Sequence, residues 1–128
     1  MRTIGYYDGN FESVLKSDRD LDDFISYAEE RKVELTRIET LESGLGQVLP
    51  ETFVLSPDKM IDAGLTRIIK TFIATNPDTN FHIVVPWLYQ KKYFEEHIEG
   101  NRKFKNIKYI TGPSRYASQL FRLIDSVS

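Results

Sequence analysis

Two short, almost continuous apolar runs, TFVLS at 52–56 and FHIVVPW at 81–87, constrain the fold more than any other feature of the chain. Such runs are typical of strands that are covered on both faces, as in a parallel sheet. Between them, apolar residues recur at helical spacing, namely Ile61, Leu65, Ile68, Ile69, Phe72 and Ile73. A strand, a helix and a second strand in this order predict a βαβ unit with parallel strands.

The same alternation extends over the whole chain. Further strands are predicted at RTIGYYD (2–8), VELTRIE (33–39, a sheet-edge strand) and IKYITG (107–112). Further helices are predicted after Asp18 or Asp20, over a short glycine-weakened segment at 41–49, over 88–100, and from about Ser114. Five such units predict one α/β domain over 1–128, in which a five-stranded parallel sheet lies between two helix layers. Function is then expected beyond the carboxyl ends of the strands.

Composition narrows the class of protein. The 128 residues include no cysteine, which excludes disulfides, thiolate metal sites and cysteine catalysis. No apolar run is long enough to span a bilayer, so a cytoplasmic protein is expected, with no membrane contact. Residues 1–51 carry 12 acidic and 6 basic side chains, whereas residues 52–128 carry 7 and 11. This asymmetry predicts a dipolar surface that binds a charged partner. The alternative is that the charges are scattered over solvated faces.

The predicted strand ends carry few groups suited to catalysis. A Mg²⁺ site needs several converging carboxylates, and only Asp8 and Asp58 lie at the inner strand ends. Asp58 is also a reasonable first-turn acid for the following helix. Ser56 would need a base to act as a nucleophile, but His82 lies within a strand and His97 on a polar helix. No catalytic or metal-binding residue is therefore assigned.

A phosphate-binding loop and a nucleic-acid surface are also poorly supported. The GLGQ segment at 44–47 lacks the spacing and the preceding strand of a phosphate-binding loop. Basic residues between Lys91 and Lys108 are diluted by Glu95, Glu96 and Glu99, so we do not expect this domain to bind nucleic acid.

Three segments together resemble the receiver domains of response regulators. FVLSPDKMIDAGLTRIIKTF (53–72) resembles their third strand and third helix, FHIVVPW (81–87) their fourth strand, and YITGPSRYASQLFRLIDSV (109–127) their fifth strand and last helix. The resemblance implies a flavodoxin-like sheet with strand order 2-1-3-4-5. It also implies a single regulatory domain, either alone or at the start of a longer protein.

The phosphorylation machinery of that family is mostly absent here. Pro57 stands at the phosphoacceptor position, although a shift of one residue would place Ser56 or Asp58 there. Pro86 replaces the hydroxyl residue after strand four, and Gly112 replaces the lysine after strand five. Asp8 retains one of the two acids after strand one. The resemblance therefore implies a pseudo-receiver, which is not an enzyme and holds no cofactor.

Receivers bind their partners through helix four, strand five and helix five. Carried onto this chain, that face implies a protein partner or a homodimer in signalling, localisation or transcription control, as in two-component systems. The aromatic residues that the resemblance places there are Trp87, Tyr89, Tyr93, Phe94, Tyr109 and Tyr116. Tyr109 stands at the aromatic switch position on strand five.

Two alternatives stay open. DGN (8–10), 59–62 and PSRYASQLFRLID (113–125) weakly resemble NYN/PIN-type ribonucleases, which need converging acids for Mg²⁺. The other alternative is a flavodoxin-like domain that binds a small ligand. The loops DGN and TGPS (111–114) would flank this ligand, and Ser114 at a helix N-terminus would bind an anion.

Overall fold

The chain was analysed as a computed structural model that describes residues 2–8, 18–56, 63–85, 88–100, 105–110 and 116–128; at positions 8, 18–23, 88–90, 99 and 116–118 the description covers the backbone. The strands are β1 (Arg2–Asp8), β2 (Val33–Ile38), β3 (Thr52–Ser56), β4 (Asn80–Val84) and β5 (Ile107–Ile110). The helices are α1 (Asp18–Glu30), α2 (Leu41–Gly44), α3 (Ala63–Ala74), α4 (Leu88–Phe94) and α5 (Tyr116–Val127). The last turn of α4 continues as a π-helical turn over Glu95–Glu99.

The five strands form one parallel sheet in the order β2-β1-β3-β4-β5. This confirms the predicted α/β fold, a three-layer α/β/α sandwich with flavodoxin-like strand order. β2 lies at one edge of the sheet, as its pattern indicated, and β5 lies at the other. The chain reverses its direction of travel across the sheet between β1 and β3, which makes their carboxyl ends the switch point where such folds bind ligands.

Two apolar cores hold the layers together, one on each face of the sheet. Successive strand residues point to opposite faces, so Ile4 and Tyr6 belong to one core and Tyr7 to the other. The first core joins the sheet to α1 and α5 through Phe24, Ala28, Leu120, Leu123 and Ile124. The second joins it to α2, α3 and α4 through Leu41, Ile69, Phe72, Ile73, Phe94 and Ile98.

Three phenylalanines form the centre of the second core. The ring centroids of Phe53, Phe72 and Phe81 lie 5.3 to 5.8 Å apart, with the planes inclined by 59° to 64°. Two glycines make room for these rings. A Cβ at Gly5 would lie 2.7 Å from Cδ2 of Phe53, and one at Gly44 would lie 2.7 Å from Cε2 of Phe72. Neither position can therefore carry a side chain without moving a ring.

Some predicted boundaries change. β4 ends at Val84 rather than reaching 87, and the predicted start of α3 at Asp58 lies outside the described residues. The 88–100 helix does end at Gly100, whose φ of 57° is left-handed and whose N–H donates to the Glu95 carbonyl at 3.0 Å. None of the described helices is long and apolar enough to cross a membrane; the cytoplasmic location stays a prediction.

Candidate functional site

The carboxyl ends of β1 and β3 lie side by side, because Asp8 and Ser56 are partners in the register of the sheet. Ser56 is completely buried, and its Oγ has no hydrogen-bond partner among the described residues. The other predicted members of the degenerate phosphorylation site, which are Pro57, Asp58, Pro86 and Gly112, lie outside the described residues. At the switch point, the described residues therefore include one buried hydroxyl, which lies beside the strand that carries Asp8.

A second candidate region lies where α4 packs against the edge strand β5. The edge of the half-buried Tyr109 ring meets the ring of Phe94, with centroids 6.5 Å apart. The Nζ of Lys91 lies 5.8 Å from the centre of the Tyr109 ring and 3.7 Å from the Glu95 carboxylate. We refer to Lys91, Glu95 and Tyr109 as the α4–β5 surface.

Among the six aromatic residues predicted on this face, the side chains of Tyr93, Phe94 and Tyr109 are described, and each has a different environment. Phe94 is 0% exposed and supports Tyr109 from the core, so it cannot contribute directly to a binding surface. Tyr93 faces α3, because its hydroxyl forms a 2.7 Å hydrogen bond with the Thr66 hydroxyl. Its ring lies 4.3 Å from that of His97. Of the remaining predicted residues, Tyr89 and Tyr116 are described by their backbones in α4 and α5, and Trp87 lies outside the description.

A third cluster joins α1 to α5 and was not predicted from the sequence. The ring of Tyr27 stacks on Phe121 with centroids 4.3 Å apart, and the guanidinium of Arg31 lies 3.4 Å above the Tyr27 ring. Asp125 accepts hydrogen bonds from both Tyr27 and Arg31. Phe121 and Asp125 lie one turn apart on α5, whereas Tyr27 lies on α1 and Arg31 in the turn that follows α1. These spacings are visible in the sequence, but the contact requires the packing of the two helices.

The amino edge of the sheet holds a cleft of about 720 Å³. Its lining includes Arg2 from β1, Thr52 from β3, His82 from β4 and Lys108 from β5. The last two turns of α5 form one wall. The sequence signals for this cleft are His82 and Lys108, two polar residues that interrupt otherwise apolar strands.

His82 titrates abnormally in this cleft. It is paired in register with Lys108 on β5. Burial lowers the pKa of the His82 imidazole from its usual 6.5 to about 4, and the positive charge of Lys108 acts in the same direction. The ring is therefore neutral near pH 7, with one nitrogen as donor and the other as acceptor.

No group of three or more histidine, aspartate or glutamate side chains in the described part of the chain is arranged to hold a metal ion.

Comparison with known proteins gives a fold and no family. No family model matches the chain, and no curated protein matches it. Among solved structures, it is similar to the fragment of a "putative lipoprotein" from Peptoclostridium difficile 630, with a TM-score of 0.58 and 11% identity over 98% of each chain. At this identity, the likeness shows a shared fold alone.

Proposed function

We propose that this protein is a receiver-like module that is not phosphorylated and that acts by binding another protein. The bound protein is either a second copy of the chain or a different regulatory component. The sheet order β2-β1-β3-β4-β5 supports this proposal, because the resemblance to receivers implies the same order. The proposed role is regulatory or scaffolding, with no chemical step.

The observation that carries the proposal is the environment of Tyr109. Its ring is half-buried on the edge strand β5, with Phe94 against its edge and the Lys91 ammonium near its face. An aromatic ring held in place before binding loses little conformational entropy when a partner covers it. Supported aromatic residues of this kind commonly dominate the binding energy of protein interfaces.

The charged residues around Tyr109 are suited to specificity rather than to stability. Lys91 and Glu95 are one turn apart on α4, and their side chains are 37% and 47% exposed. An ion pair with this exposure contributes at most about 1 kcal/mol to folding, so little is lost when a partner replaces one of its contacts. Charges at the edge of an interface mainly select the partner and speed association.

The edge position of β5 adds a second means of recognition. In the described sheet, β5 has a strand neighbour on one side alone, which is β4. Edge strands of a sheet can pair with an added strand through their main-chain groups. A partner that covers Tyr109 from this side would lie against both the ring and the strand.

The residues at three positions that follow strands support the absence of phosphotransfer. Proline at 57 and 86 and glycine at 112 provide no carboxylate, hydroxyl or amine in their side chains. Phosphoryl acceptance requires a nucleophile and a cation that holds the developing charge. Asp8 retains one of the two acids that receivers carry after strand one.

The proposal is tested by placing a photo-crosslinking amino acid at position 91 in the full chain inside its native cells. The matched control carries it at Lys70, an exposed lysine of α3. We expect a discrete crosslinked product from position 91 that is absent from position 70, and its mass distinguishes a second copy from another protein. The proposal fails if position 91 gives no product or gives the same products as position 70.

A further inference from the structure

The amino edge of the sheet gathers polar side chains where the fold would normally place apolar ones. Four neighbouring strands, β1, β3, β4 and β5, contribute Arg2, Thr52, His82 and Lys108 to one cleft. All four lie on the face that α5 covers, since each lies two residues before a member of the first core on the same strand. Next to them, the same face is closed by Leu123 of α5.

Three of the polar side chains in this cleft take no part in the hydrogen bonds of the described residues. In the part of the chain that the structure describes, the side chains of Thr52, His82 and Lys108 form no hydrogen bond. Arg2 makes a single long contact, from Nη1 to the backbone carbonyl of Ser128 at 3.4 Å. Polar groups of a folded domain usually have partners unless they contact solvent or a ligand.

The charges in the cleft favour a negative ligand. Arg2 and Lys108 each contribute a positive charge, and Glu51 is the one acidic side chain of the lining. His82 contributes hydrogen bonding without charge near neutral pH. A guanidinium, an ammonium and a hydroxyl arranged around one space are suited to an oxyanion, whose oxygens accept charge-assisted hydrogen bonds.

We propose that this cleft binds a small molecule with an oxyanion group, either a phosphate or a carboxylate. Arg2 and Lys108 hold the charge, while Thr52 and His82 bind the remaining polar atoms. The volume of about 720 Å³ lies within the usual range for small-molecule sites, so the ligand extends beyond its anionic group. Thr3, Asn80 and Ser126 also line the cleft and can bind hydroxyl groups of that remainder.

This site is separate from the proposed protein-binding surface. It lies at the amino edge of the sheet on the α5 side, whereas Tyr109 belongs to the core on the opposite face. Ligand binding and protein binding can therefore be tested independently, and the failure of one leaves the other in place.

The test is an NMR titration of the ¹⁵N-labelled chain with inorganic phosphate and, separately, with acetate, at ionic strength held constant with sodium chloride. We expect saturable shifts in the amides of β4, β5 and the end of α5 with at least one anion. The two arms distinguish a phosphate group from a carboxylate. Loss of the Lys108 charge in Lys108→Gln should weaken binding about tenfold.

Lys105→Gln is the matched control, because Lys105 is an exposed lysine three residues away that does not line the cleft. It should change the dissociation constant less than about twofold. Shifts that rise linearly with both anions, or equal losses in the two variants, would overturn the proposal. The wild-type shift map decides the matter even if Lys108→Gln fails to fold.

Discussion

The hydroxyl of Tyr27 lies 2.9 Å from both carboxylate oxygens of Asp125 and thereby links α1 to α5. Nε of Arg31 donates to the same carboxylate at 2.7 Å, while its guanidinium covers the Tyr27 ring. One acidic residue of α5 thus accepts hydrogen bonds from Tyr27 of α1 and from Arg31 in the turn that follows α1. These contacts fix the position of one helix against the other on the outer surface of the first core.

Removal of this carboxylate should weaken the fold. Asp125→Ala removes three donor–acceptor contacts in a half-exposed setting, so we expect the free energy of unfolding to fall by ~1–2 kcal/mol. Asp78→Ala is the matched control, because Asp78 is an exposed aspartate in a turn, and its loss should change the free energy by less than ~0.5 kcal/mol. Urea denaturation measures both. Equal effects in the two variants would contradict the structural role of Asp125.

The same carboxylate should also be visible in the titration of Tyr27. Desolvation raises the pKa of the Tyr27 hydroxyl, and the hydrogen bond to Asp125 raises it further, although Arg31 opposes this. Asp125→Asn removes the negative charge, so the pKa of Tyr27 should move down. NMR of ¹³Cζ-labelled tyrosine follows this group separately from the other tyrosines. A pKa that moves up in the variant would rule out the proposed contact.

Ser56→Ala should stabilise the protein. In the described part of the chain the buried Ser56 hydroxyl has no hydrogen-bond partner, and an unpaired buried hydroxyl costs ~1 kcal/mol or more. Alanine keeps most of the volume and removes the unpaired oxygen, so we expect a gain of ~0.5–1 kcal/mol. Ser43→Ala is the control, because the Ser43 hydroxyl donates to the Thr40 carbonyl at 2.7 Å and its loss should not stabilise. A clear loss of stability in Ser56→Ala would instead indicate a bound group at this hydroxyl.

Stability should fall in mild acid because of His82. The imidazole titrates near 6.5 in the unfolded chain and near 4 in the folded chain, so the unfolded state binds more protons between these values. The contribution of neutral His82 is therefore complete above about pH 6.5 and is lost as the pH falls towards 4. The full shift corresponds to about 3 kcal/mol, and the partial exposure of the ring reduces this to ~1–2 kcal/mol.

The measurement compares the wild type with His82→Gln by urea denaturation at about pH 7 and about pH 5. The variant should lose less stability between the two conditions than the wild type. His97→Gln is the control, because His97 is an exposed histidine of the π-helical turn. It should retain the pH dependence of the wild type, and equal behaviour of the two variants would contradict the assignment to His82.

Lys91→Glu should weaken partner binding without unfolding the protein. The change reverses a charge beside Tyr109 and removes a pair with Glu95 that contributes little to folding. We expect a loss of affinity of about tenfold for the partner identified by crosslinking, measured by calorimetry. Lys70→Glu makes the same charge change on α3 and should leave the affinity within about twofold. Comparable losses would indicate a general effect of net charge.

Phosphoryl analogues should have no effect on the protein. Proline at 57 and 86 and glycine at 112 supply no ligand for a phosphoryl group, so Mg²⁺ with beryllofluoride or acetyl phosphate should leave the fluorescence of the single tryptophan, Trp87, unchanged. A true receiver measured in parallel provides the positive control. A saturable change in fluorescence would contradict a pseudo-receiver and would point to Asp8 and Asp58 as ligands.

The strands were predictable because their patterns are local. β1 and β3 have the predicted bounds, since an apolar run between polar turns is decided by neighbouring residues. The directions in which the aromatic side chains of α4 point were not predictable, because consecutive residues of a helix are rotated by about 100° around its axis. Phe94 fills the core, which turns Tyr93 towards α3 and away from β5. Only the packing of Phe94 and Ile98 decides this rotation.

The amino-edge cleft lay beyond prediction for a different reason. Arg2 and Lys108 come from the first and last strands of the chain, and they share a cleft because of strand order and register. The sequence places His82 within a strand and does not identify its neighbours. Its link to Lys108 depends on the pairing of β4 with β5, which no local pattern encodes.

The short helix α4 contacts α3 with one side and β5 with another. Tyr93 is bonded to Thr66 near the start of α3, while Lys91 and Phe94 meet Tyr109 on β5. A partner that rotates α4 when it binds at Tyr109 would therefore also disturb the hydrogen bond between Tyr93 and Thr66. The position of α4 at the sheet edge is therefore coupled through one hydrogen bond to α3, the helix that follows β3.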